Sequence, residues 1–110
     1  MTIDAPGTED LGRLARGTSR KIFVAKGSID RVRLAWPSGM AVELAWDSAL
    51  TPYVGIWVCN GDLGGYHHVA VEPATGGRDR PDPEAPPPFL KPGEELRWWL
   101  EVRDARRIGL

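Results

Sequence analysis

The amino-acid sequence predicts an all-β protein, an antiparallel β-sandwich of about six strands. Three observations predict it. Apolar and polar residues alternate in "IDRVRLAW" and "MAVELAW", the period of a half-buried strand. Turn signals rich in Gly and Pro, such as "PSG" and "KPGEE", separate the runs. Helical periodicity is confined to "EDLGRLAR", where Gly12 weakens a short helix.

The chain has 110 residues, enough for one domain with its own core. Residues 1–18, rich in Gly, Asp, Glu and Thr, read as a flexible N-terminal arm. The sandwich is expected over 19–104 and a tail over 105–110. "KIFVA" opens it as a short strand. In "IDRVRLAW", Val32, Leu34 and Trp36 share one face, and Arg31 and Arg33 the other. "MAVELAW" returns with Met40, Val42, Leu44 and Trp46 on one face and Glu43 opposite, so the two runs form a hairpin through "PSG". Pairing of the arginines with Glu43 across it is worth a few tenths of a kcal/mol, roughly. After the connector "DSALTP", the nearly all-apolar "YVGIWVC" reads as a central strand covered on both faces. "NGDLGG" is a loop and "YHHVAVEP" the next strand. "ATGGRDRPDPEAPPPF" holds five of the ten prolines and is irregular. "LRWWLEVRD" closes the sandwich, with Trp98, Leu100 and Val102 inward and Arg97, Glu101 and Arg103 on the other face beside Trp99. A sandwich this small has edges that need covering.

Fourteen basic and fifteen acidic residues leave a net charge of -1, with no long run of one sign. That excludes the electrostatic footprint of a nucleic-acid or membrane-surface binder. No segment approaches the length of a membrane span, and the first residues contain no apolar leader region, so a cytoplasmic protein is expected. Cys59 is the single cysteine; it forms no intrachain disulfide and reads as a buried thiol in an apolar run. His67 and His68 are adjacent on a strand and point to opposite faces, which argues against a shared metal. No metal and no cofactor is expected.

The candidate chemistry centres on "HHVAVEP". Val69 and Val71 point one way; His68, Ala70 and Glu72 point the other. An unpaired buried acid is costly, so two readings of Glu72 stand side by side. It is a solvated residue, or one paired with Arg78 or Arg80. Alternatively it is a general base at a strand end beside a long loop. Tyr53 and Trp57 share a face of their strand with Gly55 between them. Gly55 leaves room for a ligand ring, so this face is either a sugar-stacking platform or sandwich core.

The run "SRKIFV", "LTPYVGIWVCNGD", "HHVAVEPATG" and "LKPGEELRWWLEV" resembles, in order and spacing, the C-terminal part of the aldose 1-epimerase (galactose mutarotase-like) family. The resemblance covers about residues 19 to 103. It implies a large antiparallel β-sandwich whose concave sheet binds an aldose sugar. It also implies an isomerase that interconverts the sugar's anomers. In the family a glutamate takes the proton from the anomeric hydroxyl and a histidine protonates the ring oxygen. The ring opens, rotates and recloses. Glu72 matches the catalytic glutamate. The family's catalytic histidine, second histidine and sugar-binding arginine precede the matched region, so no catalytic role passes to His67 or His68. Asp47 and Asp62 do not match the sugar-binding aspartate. The substrate-binding candidates are Tyr53, Trp57 and His68. The alternative is a non-catalytic sugar-binding or interaction module. Apolar sheet surface left bare by the absent part predicts a homodimer, or pairing with a separate N-terminal half.

Overall fold

The structure, a computed structural model, describes residues 1–106. It is all-β, two antiparallel sheets facing each other as a sandwich. The strands are β1 (Thr2–Asp4), β2 (Thr18–Val24), β3 (Arg31–Ala35), β4 (Ala41–Trp46), β5 (Tyr53–Asn60), β6 (His67–Ala74) and β7 (Leu100–Asp104). One sheet has the order β1-β3-β4-β7 and the other β2-β5-β6. We call them the large and the small sheet.

The β3–β4 hairpin forms where the alternation predicts it. Val32 lies opposite Leu44, and Leu34 opposite Val42. Opposed residues share a face, so this register turns Val32, Leu34, Leu44 and Trp46 to the interior and Arg31, Arg33 and Glu43 outward. Met40, expected on the inner face, instead precedes β4 and is 53% exposed. The "PSG" turn closes with Gly39 at φ 93°, a backbone conformation that suits a residue without Cβ. In the small sheet β5 is central, and Val54, Ile56 and Val58 are buried against the large sheet. Ile22, Val69 and Val71 flank them. Full burial of side chains of this size stabilises by about 1.5–3 kcal/mol each.

Two expectations fail. The arm expected over 1–18 is built into the fold. Its β1 pairs with β3, and Leu11, in a 3-10 turn over Leu11–Arg13, is 1% exposed within the core. Buried Thr8 donates its hydroxyl to the carbonyls of Ile3 and Ala5, and Asn60 Nδ2 donates to Leu14 O at 2.7 Å. These bonds give the polar residues of the segment partners inside the molecule.

The closing strand also differs. "LRWWLEVRD" pairs with β4 only from Leu100 onward. Leu100 and Val102, expected inward, are 53% and 61% exposed, and Trp98 and Trp99 are exposed as well. None of these side chains joins the core cluster, which lies beneath β1, β3 and β4. The tail expected over 105–110 runs, past Arg106, outside the described residues.

Candidate functional site

The outer face of the small sheet carries the residues singled out above. Its register sets three rows across β2, β5 and β6: Phe23–Gly55–Glu72, Lys21–Trp57–Ala70 and Ser19–Cys59–His68. Glu72 thus ends up on the face shared with His68, Trp57 and Tyr53, away from the valines.

Its partner is a residue the sequence did not suggest. Lys21 Nζ lies 3.1 Å from Glu72 Oε2 and 2.5 Å from Asp79 Oδ1. Arg78 instead approaches Asp82 at 3.9 Å and places its guanidinium 4.8 Å from the centre of the Phe23 ring. The space above Gly55, expected to admit a ligand ring, holds the lysine: a Cβ at Gly55 would meet Lys21 Cε at 2.9 Å and a Phe23 ring carbon at 3.6 Å. The missing side chain lets Lys21 cross diagonally from β2 to Glu72. Burial alone pulls the pKa of Lys21 down. Hydrogen bonds and charge from Asp79 and Glu72 more than offset this, and the pKa is raised above its ordinary value.

That shift fixes a pH dependence. A pKa raised by folding adds stability that is complete below the lysine's unfolded value and is lost as pH climbs through the folded one. Glu72 and Asp79 are substantially exposed, so each pair is on the surface scale, below about 1 kcal/mol. Lys21→Met is expected to be the less stable protein near neutrality. The gap should close as pH is taken past the lysine range, about pH 10.4. Urea midpoints measured along that series check it. A gap that stays constant to the alkaline end contradicts the ion-pair assignment.

Trp57 and His68 lie nearly parallel, with ring centres 6.4 Å apart, and Tyr66 meets His68 edge-on at 5.9 Å. His68 Nε2 is 3.2 Å from Leu63 O, so this imidazole is anchored to the β5–β6 loop and not to Glu72. His67 lies opposite Asn60 and points to the other face. Cys59 is buried and accepts a hydrogen bond from the Leu63 N–H at 3.2 Å. Among the described residues no group of three or more His, Cys, Asp or Glu is placed to hold a metal ion, and no helix is long and apolar enough to cross a membrane.

A concavity opens one row beyond Glu72 along the sheet, at Tyr53. A cleft of about 230 Å³ opens where the ends of β2 and β5 meet the loop over 75–88, and its lining includes Phe23, Lys26, Tyr53, Arg78, Asp82 and Glu84. Gly77 is buried against the Tyr53 ring, where a Cβ would come within 3.0 Å of two ring carbons, and Gly77 N–H donates to Ala85 O. Lys26 Nζ lies 5.3 Å from the centre of the same ring. Glu72 does not line this cleft. Tyr53 is therefore the one substrate-binding candidate that faces a hollow, while Trp57, His68 and Glu72 lie on the open sheet beside it. Lys26 was missed because the β2–β5 pairing brings it to Tyr53, and Asp82 and Glu84 because the return of the Pro-rich loop does.

A half-exposed sheet face with aromatic and charged groups, next to a small cleft, defines the class as an all-β sandwich with a polar–aromatic surface site. Comparison with protein-family models, with curated proteins and with solved structures finds no match for this chain.

Proposed function

We propose that the chain is an aldose-binding β-sandwich of the aldose 1-epimerase type that holds the sugar at the Tyr53 cleft without interconverting its anomers by itself. One observation carries the reading: aromatic rings of Tyr53 and Phe23 beside Lys26, Arg78, Asp82 and Glu84 in one hollow. Sugars present apolar ring faces and a rim of hydroxyls, and such a lining offers both stacking area and hydrogen-bonding groups. The cleft takes a single sugar ring. The cytoplasm suits this reading, since a lone thiol such as Cys59 stays reduced there.

The catalytic half of the resemblance has less behind it. Glu72 already accepts from Lys21, and Lys21 is also held by Asp79. A raised pKa takes Lys21 further from the neutral range in which a general acid works best. No imidazole lies beside Glu72 to protonate a ring oxygen, for His68 is turned to Leu63.

Titration with D-galactose and D-glucose, followed by amide NMR, tests the proposal. Saturable shifts at Gly77 and Lys26 are expected, and Tyr53→Ala should weaken binding at least tenfold, about 1.4 kcal/mol. Polarimetry should show anomer interconversion at the spontaneous rate, for wild type and Glu72→Gln alike. Absence of saturable shifts up to about 100 mM, far beyond a millimolar dissociation constant, removes the sugar site. A rate above the spontaneous one that Glu72→Gln abolishes restores the enzymatic reading.

A further inference from the structure

We propose that the free edge of β7 pairs with the same edge of a second copy, antiparallel and centred on Trp99, joining two large sheets into one. Among the described residues β7 is an edge strand with β4 on one side only. Asp47 N–H donates to Trp99 O and Ala105 N–H donates to Ala41 O, so the odd-numbered peptide groups of this segment face β4. Antiparallel ladders alternate, which turns the N–H and C=O groups of Leu100, Val102 and Asp104 to the open side. Just before β7, residues 95–98 make no backbone–backbone hydrogen bond within the described residues. An unpaired edge flanked by exposed Trp98, Trp99, Leu100 and Val102 is a template for another strand.

The segment "ELRWWLEVR" identifies the occupant as a copy of itself. Laid antiparallel about Trp99, Glu95 falls opposite Arg103 of the partner subunit, and Arg97 opposite Glu101 of the partner subunit. On the other face Leu96 meets the partner's Val102, and Trp98 meets the partner's Leu100. By the two-fold axis each pair occurs twice. Within 95–103 every charge meets its opposite and every apolar residue another apolar one. Asp104 falls opposite the partner's Glu94, where the turn closed by Glu94 N–H on Lys91 O ends the ladder. The even-numbered residues, whose peptide groups face the open edge, become the hydrogen-bonded pairs.

Neighbouring registers fail this test. Centring on Leu100 opposes Arg97 to the partner's Arg103. Centring on Val102 sets Leu100 against the partner's Asp104 and Trp98 against the partner's Arg106. Within one chain, Arg97 contacts Glu95, and Glu101 contacts Arg103. Those are exposed local pairs that a facing strand can exchange.

Arg97→Glu and Glu101→Arg make the test, read by sedimentation velocity. Wild type is expected at twice 12.1 kDa at roughly 100 μM, a hundredfold above a micromolar dissociation constant. Each variant sets like charges opposite each other at two places and should weaken self-association at least about tenfold. Mixed in equal amounts, the two variants should dimerise with one another. One strand then carries carboxylates at both positions and the facing strand guanidinium groups at both, so opposite charges meet again at each place. Unchanged urea midpoints for each variant exclude misfolding as the cause. A monomeric wild type overturns the proposal, as do variants that dimerise alone or a mixture that stays monomeric.

Discussion

Trp46→Ala is expected to lower stability by about 3–5 kcal/mol, a large part of the 5–15 kcal/mol typical of a domain this size. Trp46 is the largest fully buried side chain, 2% exposed, and belongs to the core cluster with Val32, Leu34 and Ile56. Truncation leaves a ring-sized void in a close-packed interior. Trp46 Nε1 is buried and, among the described residues, has no hydrogen-bond partner. That orphan donor carries its own desolvation penalty. Trp46→Phe removes the donor with part of the ring, so its loss should be well below that of the alanine variant. Urea denaturation of both variants measures the difference. Equal losses would mean that Nε1 finds a partner, such as a water, in solution.

Leu11→Ala is expected to cost about 2–5 kcal/mol. Leu11 is at the start of the chain in sequence but at the centre of the core in space, held by the turn whose Leu11 N–H donates to Thr8 O. The size of the effect decides whether the first residues are structural. A substitution in a loose arm stays within about 0.5 kcal/mol. The same urea series reads it, and a midpoint equal to wild type would detach residues 1–14 from the core. Amide exchange at Ile3 and Leu34, opposed in the β1–β3 pairing, gives an independent reading of the same segment.

Most strands were legible because each carries its own evidence. The alternation of β3 and β4, the apolar run of β5 and the "VAV" of β6 are local signals, and burial rewards them as expected. β1 has three residues and one of them, Ile3, packs on the core. No pattern so short stands out from a polar arm. The closing strand was legible as a strand but not as to what covers it, since alternation names a face and not its occupant. At the site, the face of Glu72 followed from period two. Its partner did not, because Lys21 reaches Glu72 through the β2–β5–β6 register and across Gly55. Pairing between strands distant in sequence is a property of the whole fold. The Tyr53 hollow was hidden for the same reason, as its far wall comes from a Pro-rich loop with no periodicity to read.

The strand order has a consequence for biosynthesis. The small sheet has all three of its strands once residue 74 has left the ribosome, whereas the large sheet lacks β7 until residue 104 has left it too. At about 5–20 residues per second, the nascent polypeptide spends some seconds with β4 as a bare edge. A chaperone that shields extended segments during that interval would protect the growing chain where it is most open to mispairing.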